Sequence, residues 1–78
     1  MKKIINVEVL EDYQLLLTFD NNEIRIKDMK PYLDKGVFTK LKDKSFFNNV
    51  RISFGTITWD EEIEICADSL YKTSKKVN

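Results

Sequence analysis

The stretch IINVEVLEDYQLLLTFDNNEIRIK, residues 4–27, decides the fold class. Ile5, Val7 and Val9 alternate with Asn6 and Glu8, the period-two signature of a half-buried strand. Leu15, Leu17 and Phe19 alternate in the same way with Leu16 and Thr18, and Ile24 and Ile26 with Arg25 and Lys27. Glu11-Asp12-Tyr13 is a polar turn. Asp20-Asn21-Asn22-Glu23 is a hairpin turn, because Asn tolerates the positive φ that primed turns demand. Three short strands on tight links read as an antiparallel meander. Its inner face takes the alternating aliphatics, and Ile4, Leu10 and Leu16 fall on the outer face.

Beyond this stretch the pattern turns helical. Asp28 can cap a short turn entered through Pro31, and Gly36 can serve as its left-handed stop. Val37, Phe38 and Leu41 share a helical face, and Asp43 and Ser45 can cap a further turn carrying Phe46 and Phe47. Alternation resumes through Val50, Ile52 and Phe54, crosses Gly55 to Ile57 and Trp59, and returns after an acidic turn at Ile63 and Ile65. Ala67 to Thr73 reads as a last helical turn packing Leu70 and Tyr71, with residues 72–78 as a loose tail. The order β-β-β-α-β-β-β makes one α+β domain over residues 1–78: a compact, mainly antiparallel sheet with one or two short helices. The expected core is Val7, Val9, Leu15, Leu17, Phe19, Ile24, Ile26, Leu33, Phe38, Leu41, Phe47, Val50, Ile52, Ile57, Trp59, Ile65 and Leu70.

Composition narrows the chemistry. Thirteen basic and thirteen acidic residues cancel, and there is no His. No Ser-His-Asp or Cys-His pair can form, and no His/Cys zinc site can assemble within one chain. Gly36 and Gly55 are the only glycines, too few for a phosphate-cradling loop. The lone Cys66 cannot staple the chain and has no basic neighbour in sequence, so it reads as a structural thiol. Asn6 and Glu8 interrupt the segment behind Lys2 and Lys3, so it makes no hydrophobic leader core and no signal peptide is expected there, and the longest clean apolar run is Leu15-Leu16-Leu17. These features lead us to expect a cytoplasmic protein with no membrane contact, no cofactor and no metal. Net neutrality argues against a broad nucleic-acid surface, so duplex DNA is not an expected ligand.

Several landmarks carry a family resemblance. They are Leu15 and Phe19 at L-x-x-x-F, Ile26 and Asp28, Gly36 to Asp43 at G-x-F-x-x-L-x-D, Phe47 to Ile52 at F-x-x-V-x-I, Gly55 to Trp59 at G-T-I-x-W, and Leu70-Tyr71. In this order and spacing, from about Ile4 to Lys72, the chain resembles the bacterial domain-of-unknown-function family 2442. Asn22 stands where that family usually has Gly, Asp60-Glu61-Glu62 where it has Pro-Asn-Gly, and Glu64 where it has Asp. The resemblance implies a small α+β domain, alone or fused to a helix-turn-helix, encoded beside small toxin-like partners. It brings no activity and no catalytic residues. With the chain closing at Asn78, no helix-turn-helix is expected here.

The candidate sites follow from these two readings. Asp60, Glu61, Glu62 and Glu64 form the one carboxylate cluster, and Asp28 the one isolated candidate for a pocket acid. A small-ligand- or metal-dependent enzyme would need these groups to converge, whereas a turn lets them diverge, and Asp28 reads more simply as a cap. Lys35, Lys40, Lys42 and Lys44 read as a solvated basic face, with partner steering as the alternative. Trp59, in register with Ile57, reads as a core anchor, while Phe54 beside Gly55 is the aromatic placed to meet a partner. The favoured function is a small non-enzymatic interaction or regulatory module, toxin-antitoxin-like by resemblance. It would act on a protein partner or as a homodimer through Ile4, Leu10 and Leu16, flanked by Arg25 and Arg51.

Overall fold

The computed structural model describes residues 1–78. Seven strands and two short α-helices follow in order: β1 (Ile4–Leu10), β2 (Gln14–Phe19), β3 (Ile24–Asp28), α1 (Lys44–Phe47), β4 (Arg51–Ser53), β5 (Thr56–Thr58), β6 (Glu64–Ile65), α2 (Ala67–Thr73) and β7 (Lys75–Lys76). Between β3 and α1 the chain takes two 3₁₀ turns, Lys30–Tyr32 and Gly36–Lys42. The expected α+β class and antiparallel pairing are present. The strands divide into two sheets, however, ordered β1-β2-β3-β7 and β4-β5-β6. The Ile4 N–H donates to the Gly55 carbonyl at 2.9 Å and ties the edge of the first sheet to the β4–β5 hairpin.

One buried cluster unites both sheets and the helices: Ile4, Leu15, Leu17, Phe19, Met29, Leu41, Phe47, Ile57, Trp59, Ile63, Ala67 and Leu70. The Trp59 indole N–H donates to the Phe47 carbonyl at 2.8 Å, and the two rings stack with centroids 5.9 Å apart. Trp59 is thus the anchor its register with Ile57 predicts. Asp43 caps α1 as expected, its side chain accepting the Ser45 N–H at 3.0 Å. Asp28 does not hold the cap of the first 3₁₀ turn: Met29 occupies that position without a side-chain bond, and Asp28 Oδ1 accepts the Lys30 N–H at 3.0 Å from one residue earlier. Gly36, by contrast, opens the second 3₁₀ turn with φ +47° and does not close the first helical turn.

Four expectations are corrected. Ile4 is in the core, because a bulge between Ile4 and Asn6 inserts Ile5 as an extra residue and reverses the strand's parity. In β3 the faces are exchanged: Arg25 pairs with Leu17 and Lys27 with Leu15, so the basic stems lie on the core side, and Ile24 and Ile26 point away. Ile52, across from Ile57 on an edge strand, also stays outside the cluster. The tail is not loose. Lys75 and Lys76 pair with Ile26 and Arg25, Val77 donates to the Ile24 carbonyl, and Asn78 bonds the Ile24 N–H and the Asn22 carbonyl.

Candidate functional site

The register of the first sheet builds the site. Glu8 pairs with Leu16, Leu16 with Ile26, and Ile26 with Lys75, so these four side chains form one row across the outer face. Neighbouring rows hold Asn6, Thr18 and Ile24 on one side and Leu10, Gln14 and Asp28 on the other. Leu10, Leu16, Ile24 and Ile26 are only half-buried, and none of them packs against the core. Both helices bury their apolar residues, Phe47, Ala67 and Leu70, on the opposite side. The outer face therefore carries four partly exposed aliphatics among polar side chains, with none of the core packed over them. Ile5 in the bulge and Val77 beside Ile24 extend it, at 57 % and 50 % exposure.

Of the five expected interface residues, the structure brings two together, Leu10 and Leu16. Ile4 is buried. Arg25 lies on the core side, its guanidinium 4.4 Å from the Tyr71 ring centre and bonded to Ser74 and Glu23. Arg51 sits in the second sheet opposite Thr58. Ile24 and Ile26 are the members that alternation alone misassigned. The signal that could have found them is the pair of long, flexible stems at Arg25 and Lys27, which can cover apolar surface while their charged heads find partners.

The carboxylates do not converge. Asp28 is held below the usual carboxylate range by the Lys30 backbone N–H and ammonium, the latter 3.1 Å away. Asp60 is in a separate turn, where burial opposes its ionisation. The N–H groups of Glu62 and Ile63 and the Lys40 ammonium nevertheless keep it below its ordinary value. Lys40 bridges Asp60 at 3.3 Å and Glu62 at 2.5 Å, and its own pKa is raised in return. Lys40, in the 3₁₀ turn facing it, thus pairs with two of the four carboxylates of the acidic turn, and no three metal-ligating side chains meet anywhere in the chain. Lys42 is likewise paired, with Asp34 at 2.7 Å. Cys66 is exposed at the start of α2.

Phe54 is the other exposed feature. It and Gly55 both have positive φ, +51° and +80°, as a two-residue primed turn between β4 and β5 requires. An aromatic residue is strained there, and its ring is 100 % exposed. Gly55 is fixed by space as well, since a Cβ would meet Lys3 Cγ at 3.0 Å.

No helix is long and apolar enough to cross a membrane. No curated protein and no solved structure matches the chain. The family described as "Protein of unknown function (DUF2442)" matches residues 4–76, which takes in all seven strands and both helices. By that match, the chain belongs to the DUF2442 family.

Proposed function

We propose that this chain is a small protein-interaction module whose working surface is the outer face of the first sheet, acting by association and not by catalysis. One observation carries this reading: Leu10, Leu16, Ile24 and Ile26 stand together on a face that no other part of the chain covers. Full burial of an exposed aliphatic side chain of this size is worth roughly 1.5–3 kcal/mol. These four are already partly covered, so a partner would add about a third of that or less at each, a modest driving force shared over the patch. A regulatory role beside a small toxin-like protein is the finer form of this reading. It rests on the family resemblance and on the same face. The test is co-expression with the products of adjacent genes, comparing the wild type with Leu16→Glu. The variant should remain folded, because Leu16 lies outside the packed core, and it should lose its partner. A folded Leu16→Glu protein that retains every association refutes the proposal.

A further inference from the structure

The central row of the open face has an internal order that identifies its occupant. Across the sheet it reads Glu8, Leu16, Ile26, Lys75: acid at one margin, two aliphatics in the middle, base at the other. Glu8 and Lys75 are both exposed, and neither forms an ion pair within the chain. Turning this row by 180° about an axis parallel to the strands, between β2 and β3, reverses its order. Glu8 then faces Lys75 of the other copy, and Leu16 faces Ile26. The same rotation sets Gln14 opposite Asp28 and Thr18 opposite Ile24. An axis running across the strands would instead set Glu8 on Glu8 and Lys75 on Lys75. The charge pattern thus complements itself in one orientation and repels in the other.

We propose that the open face binds a second copy of this chain, forming a two-fold, sheet-on-sheet dimer with its axis parallel to the strands. This deepens the interaction reading above and rests on it. Packed sheets lie about 10 Å apart with strands within about 30° of each other. Leu16 and Ile26, nearest the axis, would interdigitate despite that rotation, while the long Glu8 and Lys75 side chains span the offset at the margins. Four strands spaced about 4.8 Å apart make a patch smaller than a standard interface, so the dimer should be a dissociable one.

Sedimentation velocity tests the proposal. The wild type should shift from monomer to dimer between roughly 10 µM and 1 mM, as a low-end interface requires. Leu16→Glu should stay monomeric and folded. Glu8→Lys and Lys75→Glu should each weaken self-association about tenfold, since every dimer contains both pairs. An equimolar mixture of the two single variants should form mixed dimers preferentially. In a mixed dimer both marginal positions of the Glu8→Lys chain are basic and both of the Lys75→Glu chain are acidic, so each cross-pair is again opposite in charge. These exposed positions do not threaten folding. A wild type that is monomeric at about 1 mM, a dimer indifferent to Leu16→Glu, or the absence of preferential mixed dimers overturns the proposal. If the wild type is monomeric but Leu16→Glu loses a co-expressed partner, the interaction reading survives without the dimer. If Leu16→Glu changes neither assay, both fall.

Discussion

Lys27 stands directly across the β3–β2 ladder from Leu15, on the core side of the sheet, and is 5 % exposed. Its ammonium bonds the Tyr32 hydroxyl at 2.7 Å and Thr73 Oγ1 at 2.9 Å, and it lies 4.6 Å from the Tyr32 ring centre. Its two hydrogen-bonding partners are neutral oxygens, and no carboxylate lies within ion-pair distance. The lysine joins β3, the first 3₁₀ turn and α2 around a cleft of about 290 Å³ that Phe38 and Cys66 also line.

The stem and the charge of Lys27 make separable contributions. Lys27→Met keeps the stem and removes the cost of burying an ammonium. Its stability in urea should lie within about 1 kcal/mol of wild type, or above it. Lys27→Ala deletes the packing and should cost about 2 kcal/mol. Equal damage from both variants would assign the stabilisation to the ammonium hydrogen bonds and not to the stem.

Trp59 anchors the second sheet to α1 through its bond to, and stack on, Phe47. Trp59→Ala should cost about 3–5 kcal/mol, much of the stability available to a domain of this size. Trp59→Phe keeps most of the apolar volume but leaves the Phe47 carbonyl without its indole donor, which should cost about 1–3 kcal/mol. Thermal unfolding followed by circular dichroism would rank them. A cooperatively folding Trp59→Ala protein with near-native stability would remove Trp59 from the centre of the core.

Periodicity made the strands, their antiparallel pairing and the place of Trp59 legible, because each depends on the order of neighbours along one strand. It did not locate the Ile4–Asn6 bulge, since one inserted residue changes which face is buried without changing the alternation on either side. In β3 both sets of side chains could lie on either face: two isoleucines, or two basic residues with long apolar stems. Tertiary partners decide between them. Tyr71 and Ser74 receive Arg25, and Tyr32 and Thr73 receive Lys27, all brought there by segments outside the strand itself. The pairing of β7 with β3 is similarly non-local, and Lys75-Lys76 has no strand signal of its own. The residues of the proposed interface were therefore half legible: Leu10 and Leu16 from their own strands, Ile24 and Ile26 only once β3 was placed.

Glu23 should make stability fall in acid. The Tyr71 hydroxyl donates to it at 2.5 Å, and Arg25 and Asn21 each donate at 2.8 Å, so its carboxyl is held below the ordinary value of 4.5. A depressed folded-state pKa favours the fold fully above that ordinary value, and the contribution disappears as pH falls through the folded-state pKa. Glu23→Gln should be less stable than wild type at neutral pH, and the gap should close in acid. Tyr71→Phe, which removes the leading cause, should raise the Glu23 titration midpoint measured by carboxyl NMR. A midpoint unmoved by Tyr71→Phe would shift the effect to Arg25.

Phe54 should be replaceable at a gain in stability. Its φ of +51° is in the left-handed region that Asn and Gly accept and that an aromatic side chain resists. Because the ring is fully exposed, no packing is lost on removing it. Phe54→Asn should therefore stabilise the protein by about 0.5–1 kcal/mol, with Asn-Gly supplying the favoured two-residue hairpin turn. Phe54→Ala should give less, because alanine also resists positive φ while offering no polar group to the turn. Urea midpoints with unchanged slopes would measure both. If Phe54→Asn destabilises the protein, the ring must make a contact in solution that its full exposure here does not show, and the hairpin tip would then become a second docking surface alongside the open sheet.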